Sequence, residues 1–254
     1  MNERLLKPLL RSMLPRRIRA RQIVAGPMRG SSLVTSWHDY PAGLLGRTER
    51  PLLEWFARHA HPGETWIDVG AYCGYTAFAL ARLVGPSGRV FSFEPVATTA
   101  HCIAQGRILN RLTHVTVLPM GLSATDTFEM RRLGISRGMA DATLPLSRSE
   151  LIVDVPMVRF DWIWPLIHGG DAAIHGVKID VQGMELEALT GMLDSLNRWR
   201  PHVVMELHPG VSRNDIVAVM ARAGYSRTPV AVDPISGEDT PLLLDDRSYA
   251  FHPA

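Results

Sequence analysis

At 254 residues the chain is long enough for one α/β domain with additions. With 46% hydrophobic and 20% charged residues, its composition is globular rather than disordered. Its 21 glycines and 18 prolines follow no period, and no uncharged apolar run approaches about 18 residues, so collagenous and membrane-spanning chains are excluded. Cys73 and Cys102, the two cysteines, cannot make a disulfide framework and fit a reducing, cytoplasmic setting.

The net charge of +2 is unevenly spread. Residues 1–22 carry seven Lys/Arg against Glu3, a charge of +6, which leaves the rest of the chain at −4. A mildly acidic body argues against a nucleic-acid partner. Within the basic segment Leu5, Leu6, Leu9, Leu10, Met13 and Leu14 recur at helical spacing. That pattern fits an arm packed on its own domain or on a second subunit, and also peripheral membrane contact. Arg11, Pro15 and Arg16 interrupt it, unlike the apolar centre of a signal peptide.

Residues 23–62 read as a connector broken by Gly26, Pro27, Gly30, Pro41, Gly43 and Gly46, with a short helix at 50–59 opened by Pro51. From residue 64 the pattern alternates. Strands are expected at 65–69 and 89–93, helices at 75–84 and 96–109, and a third strand at 115–120. Residues 123–159 are irregular, with short alternating runs such as 152–158, and are expected to hold an inserted hairpin. The alternation resumes with a strand at 176–181, a helix at 184–196, a strand at 201–207 and a helix at 212–223 capped by Ser212 and stopped by Gly224. Final strands are expected at 230–232 and 248–252. This order argues a parallel sheet with helices on both faces, and ligands at the carboxyl ends of its strands.

Four strand ends carry chemistry. The first is Asp68-Val69-Gly70-Ala71-Tyr72-Cys73-Gly74. Gly70 lets the backbone turn and approach a ligand, and Gly74 lets the next helix start close to it. Asp68 can accept hydrogen bonds from a ligand or from the loop's own amides. The Gly-x-Gly-x-x-Gly dinucleotide fingerprint is absent, as is a P-loop lysine. The second is Glu94, placed after its strand where a carboxylate can accept both hydroxyls of a ribose. The third is Lys178-Ile179-Asp180-Val181-Gln182-Gly183-Met184-Glu185, in which Asp180 should face the cleft and Glu185 suits a helix cap. The fourth is Glu206-Leu207-His208. His208 is the best general-base candidate, because an unperturbed imidazole titrates near neutrality. Asp180, Glu206 and His208 also form a possible ligand set for a divalent ion such as Mg²⁺.

These strings, with Ile67 to Gly74, Phe93-Glu94-Pro95 and the upstream Gly26-Pro27-Met28-Arg29-Gly30 and Gly46-Arg47-Thr48-Glu49, resemble the FkbM-type S-adenosylmethionine-dependent methyltransferases over roughly residues 23–253. The resemblance implies a Rossmann-like seven-stranded methyltransferase sheet with an N-terminal extension and a β insertion. With the charge and turn pattern, this gives an arm and cap over 1–62 and a cofactor-binding domain over 63–254. It places S-adenosylmethionine on Asp68, Gly70, Ala71, Gly74 and Glu94; the strand-end residues themselves make Asp180, Glu206 and His208 the candidates for the transfer chemistry, with His208 as base or a metal on the acids. The implied acceptor is a hydroxyl of a small molecule, sugar or natural product. N- or C-methylation on the same scaffold, and a non-catalytic interaction module, are the alternatives. Two positions depart from the family pattern: Gln182 stands where Glu is usual, and Tyr72 where Asn is frequent. Trp37, Tyr40, Trp162 and Trp164 are either core or an apolar wall for the acceptor.

Overall fold

A computed structural model describes residues 13–168, 172–236 and 243–254. The segment read as arm and connector is more ordered than its glycines and prolines suggested. β1 (Arg19–Gln22) and β2 (Ser32–Thr35) form an antiparallel hairpin, with Arg19 opposite Thr35. A boundary after residue 22 therefore cuts a hairpin, and Arg21 Nε also donates to the Thr35 carbonyl at 3.3 Å. The run from Leu5 to Leu10 lies outside the described residues. One helical turn, α1 (Pro41–Leu44), leads to α2 (Arg50–His59), which opens with Pro51 and buries Leu52, Leu53, Trp55 and Phe56 as its spacing predicts.

The central alternation then runs β3 (Thr65–Val69), α3 (Tyr75–Val84), β4 (Arg89–Phe93), α4 (Ala97–Leu109) and β5 (Val115–Leu118). The insertion is a whole sheet rather than a hairpin. β6 (Gly121–Leu122), β7 (Glu129–Ser136), β8 (Met139–Asp141) and β9 (Leu151–Val158) lie in the order β6-β9-β7-β8. β7 and β9 supply the antiparallel pair behind the alternating run. β8 joins β7 through the two-residue turn Arg137-Gly138, whose φ values of 54° and 77° are the positive ones such a turn needs.

The sequence reading missed α5 (Phe160–His168), whose buried Phe160 and Trp164 lie four apart on one helical face. Beyond β10 (Gly176–Ile179), the helix expected at 184–196 is two helices, α6 (Glu185–Gly191) and α7 (Leu193–Trp199). The break coincides with a close tertiary approach. A Cβ on Gly191 would sit 2.1 Å from the Ser123 carbonyl oxygen, so only glycine allows the approach. Asp161 then accepts the amides of Asp194 and Ser195 at 2.9 and 3.0 Å and starts the second helix. β11 (His202–Leu207), α8 (Arg213–Arg222), β12 (Val230–Ala231) and β13 (Arg247–Phe251) complete the order. Ser212 caps α8, accepting the Asp215 amide at 3.3 Å.

The seven strands lie in the order β12-β13-β11-β10-β3-β4-β5, with β13 antiparallel to both neighbours. Side-chain alternation divides the core between the two faces. Ile67, Phe91, Val177 and Val203 pack with Trp164, Leu189, Leu196 and Ile216 on one side. Trp66, Val90 and Val204 pack with Phe56, Phe78 and Leu80 on the other. From β3 the chain adds strands in one direction to β5, then returns to place β10 on the other side of β3. The order therefore reverses between β3 and β10, and a cleft opens at their carboxyl ends.

Candidate active site

Gly70 ends β3 with φ 77°, and a Cβ there would lie 1.8 Å from the Asp180 carbonyl oxygen. Only glycine lets the two strand ends approach so closely. The Gly70 and Ala71 amides both donate to the Phe93 carbonyl, at 2.9 and 3.1 Å, and the Gly74 amide to Ala71 at 2.8 Å. Gly74, at φ 87°, precedes α3. Beside this loop is a partly open cavity, lined by Gly70, Tyr72, Glu94 and Pro95, by Asp180, Gln182 and Met184, and by Gly121, Leu122, Met139 and Ala140. The insertion thus walls the cavity. Tyr72 Oη and Thr99 Oγ1 fasten its turn by donating to the Arg137 and Gly138 carbonyls at 2.8 and 2.9 Å.

Glu94 is on the cavity wall but only 4% exposed. Its two carboxylate oxygens accept the amides of Tyr72 and Val96 at 2.9 and 3.0 Å. Burial pushes its pKa up to about 8, against the pull of those two amides.

Asp68 does not line the cavity. It is fully buried, accepts from Thr76 Oγ1 at 2.7 Å and lies 3.1 Å from Lys178 Nζ. These partners are side chains rather than the loop's own amides, and Asp68 braces the loop from below. Lys178 Nζ also donates to the Gly70 carbonyl at 2.8 Å and lies 3.6 Å from Asp180. Burial opposes the lysine's charge, yet Asp68 and Asp180 outweigh it and raise its pKa.

Asp180, Glu206 and His208 converge as the strand order requires: each offers a donor atom within 4.8 Å of the others, a compact set able to surround a proton or a cation. His208 Nε2 is 3.6 Å from Asp180 and 3.5 Å from Glu206, and 2.7 Å from the Gln182 amide nitrogen. Its Nδ1 is 2.7 Å from Glu185 Oε1. Glu185 is fully buried and also accepts the Gly183 amide at 3.1 Å, so it orients the imidazole rather than only capping its helix. Burial disfavours imidazolium, but the Glu185 hydrogen bond and the charges of Asp180, Glu185 and Glu206 raise the His208 pKa to about 9. The surrounding carboxylates thus shift the imidazole above the near-neutral titration expected of it. Glu206 is pushed up to about 8 by burial, then by Asp180 and Glu49.

Glu49 enters the same field from the N-terminal segment. Burial first and Asp180 second hold its carboxyl above the usual range. Of the four aromatics considered as a wall, Trp164 is core and Trp162 is 51% exposed. Trp37 and Tyr40 pack on the second core, Tyr40 edge-on to Tyr72 and Tyr75.

A glycine turn at a strand-order reversal, with an acid after the next strand, defines a nucleoside-cofactor site. The comparisons with known proteins give that class its family. Residues 68–227 match the Methyltransferase FkbM domain, and the chain belongs to that family. It is an S-adenosylmethionine-dependent methyltransferase. It is 26% identical over 186 residues to the hexuronic acid methyltransferase AglP of Haloferax volcanii, covering 71% of each chain. It is similar in fold to a methyltransferase FkbM from Methylobacillus flagellatus KT, at 18% identity and TM-score 0.50, over 85% of this chain and 54% of that one. An S-adenosylmethionine-dependent methyltransferase from Aquifex aeolicus aligns at 14% identity and TM-score 0.47, over 85% and 93%. Among the described residues no helix is long and apolar enough to cross a membrane.

Proposed function

We propose that this methyltransferase transfers its methyl group to a hydroxyl of a sugar or other small polyhydroxylated acceptor. The observation that carries the reading is the Glu185–His208 pair, set beside Asp180 and Glu206 where the cofactor cavity meets the next strand end. A hydroxyl is a poor nucleophile until its proton leaves, and a histidine oriented by a buried carboxylate is a suitable acceptor for that proton. The relative's action on a hexuronic acid supports a sugar as the acceptor class.

The residues fit S-adenosylmethionine. Glycine holds the floor of the cleft where a Cβ would clash, and Glu94 on its wall offers a ribose acceptor. Gly70, Ala71, Gly74 and Glu94 would hold it, with Asp68 keeping the loop in place. Bound, it supplies an electrophilic methyl on a sulfonium. The chain's own part is positioning, which accounts for most of the rate in such transfers. The acceptor's O–H replaces the Gln182 amide N–H at His208 Nε2, which then takes the hydroxyl proton, and Glu185 stabilises the resulting imidazolium. An imidazole that is already protonated must first lose its proton, so turnover should rise with pH toward about 9.

A metal held by Asp180, Glu206 and His208 would be the second route to an activated hydroxyl, supported by the donor set alone. Residues 63–254 serve as the catalytic domain in this reading, with 1–62 as its cap. Incubation with methyl-labelled S-adenosylmethionine and a panel of saccharides tests it. Label should enter an oxygen-linked methyl and persist in EDTA. Loss of transfer in EDTA with rescue by Mg²⁺ would replace the histidine route with the metal route. Label on nitrogen or carbon would refute O-methylation.

A further inference from the structure

The outer face of α4 and the β1–β2 hairpin have a chemistry that the cleft does not use. β2 lies against α4, and Asn110 at the helix end locks the two together. Its Oδ1 accepts the Ser32 amide at 2.8 Å, and its Nδ2 donates to the Ser32 carbonyl at 2.7 Å. A groove runs between hairpin and helix, with Ile18, Ala20 and Val34 on one bank and Cys102, Ile108 and Leu109 on the other. Ile18 is 55%, Ile108 68% and Leu109 51% exposed. α4 buries Cys102, Ile103 and Gly106, so its outer side should be polar, yet its last turn presents two aliphatic groups to solvent. These stand away from the cleft. Thr99 fastens the insertion turn at the cleft, and Leu109 lies about 15 Å further along the same helix.

The same face carries cations without acids. No Asp or Glu occurs in residues 4–38 or in residues 95–125. Arg16, Arg17 and Arg19 flank Ile18, and Arg111 follows Leu109. All four are exposed, and none forms an ion pair among the described residues. Around the end of α4, Arg29 and Arg82 line a second recess with Ser31 and Asn110. The chain beyond residue 22 is net −4, so this basicity is local rather than general.

We propose that this face docks the enzyme on an anionic lipid surface. Ile18, Ile108 and Leu109 enter the headgroup region, and the arginines around them meet lipid phosphates. Stable peripheral binding takes two signals, buried apolar area and a polybasic patch, and here both occur on one face. Other occupants match it less well. Residues 1–12 carry Arg4, Lys7 and Arg11 against Glu3, so folding them back onto the groove brings like charges together. A second copy seated face to face brings the same arginines. Nucleic acid would meet exposed aliphatic groups and find no aromatic side chain in the groove on which a base could stack. Docked this way, the enzyme keeps its cofactor cavity open, and the proposal does not depend on which atom receives the methyl group.

The test is co-sedimentation of the full chain with vesicles of phosphatidylcholine alone and of phosphatidylcholine mixed with phosphatidylglycerol, at low and at raised salt. The mixed vesicles should bind it roughly ten-fold or more tightly, and salt should weaken that binding. Arg16→Gln, Arg17→Gln and Arg19→Gln together should weaken it roughly hundred-fold, at about five-fold for each charge removed. Ile108→Ser with Leu109→Ser should weaken it about ten-fold or more, through lost apolar contact. Both variants should keep S-adenosylhomocysteine affinity within about two-fold, which shows that they fold and that the cleft is untouched. Equal binding to the two kinds of vesicle, no binding to either, or wild-type binding by either variant would overturn the proposal. So would a duplex oligonucleotide that displaces the chain from mixed vesicles and loses affinity in the arginine variant alone. A dimer in solution that dissociates in the Ile108→Ser, Leu109→Ser variant would assign the face to a second copy instead.

Discussion

Glu94 is a ribose acceptor and a structural brace at once, because its carboxylate already receives the Tyr72 and Val96 amides. Glu94→Ala should therefore weaken S-adenosylmethionine binding roughly ten- to hundred-fold, the worth of hydrogen bonds to a charged group. It should also lower the melting temperature, since two amides lose their partner. Titration calorimetry and a thermal melt read the two effects; unchanged affinity would remove Glu94 from the site. At this scale the sequence was most legible where a residue type has few uses. Gly70 needs positive φ and close approach, and Asp180 and His208 at strand ends have one cleft to face. The parts not legible depend on three-dimensional partners. Asp68 looked like a ligand group because strand-end acids often are, but burial pairs it with Lys178 and Thr76. Glu185 looked like a cap, and its hold on His208 spans 23 residues. The imidazole's proton affinity follows from that contact and could not be read from a lone histidine.

Among the elements, β3 and β10 are tied at their carboxyl ends by one side chain as well as by the backbone ladder. Lys178 reaches from β10 to Asp68 and to the Gly70 carbonyl on β3. Lys178→Met keeps the length and removes the charge, leaving Asp68 buried and uncompensated. It should cost about 3–5 kcal/mol, the usual penalty for breaking a buried pair. It should also loosen the glycine loop, so cofactor affinity falls further than stability alone explains. Urea unfolding followed by cofactor titration checks both, and a loss under about 1 kcal/mol would show that the pair is not stabilising. Strands and helices with strong periodicity, such as α2, β3, α3 and β4, were readable from spacing. The insertion was not, because its strands pair across gaps that local pattern does not reveal; β7 meets β9 through residues such as Glu129 and Met157. The break between α6 and α7 was hidden for the same reason, since it depends on Gly191 meeting the distant Ser123 carbonyl. The β1–β2 hairpin was masked by Gly26, Pro27 and Gly30 in its own connecting loop.

For the whole molecule the perturbed groups predict a stability profile. Glu94 and Glu206 are raised to about 8, from ordinary carboxyl values near 4.5, and His208 to about 9 from 6.5. Raised folded-state values mean that the native chain binds these protons more tightly than the unfolded one. Their contribution is present at low pH and is lost as pH rises through 8 and 9. His202 and His252 are lowered by burial first and by His59 second, so acidification below about pH 6.5 destabilises in the opposite sense. Melts of the cofactor-free chain should peak in mildly acidic buffer and decline from pH 7 to 9, with Glu94→Gln flattening the alkaline side. A profile rising through pH 9 would contradict this charge arrangement. The central claim is that methyl transfer occurs at the β3–β10 switch point with His208 as the proton acceptor. Its most direct test is turnover of the wild type and His208→Ala with labelled S-adenosylmethionine, with cofactor affinity measured alongside. Turnover should fall roughly 10²–10⁴-fold while cofactor affinity changes little. Wild-type turnover in His208→Ala, and equally in Asp180→Ala, would contradict the account.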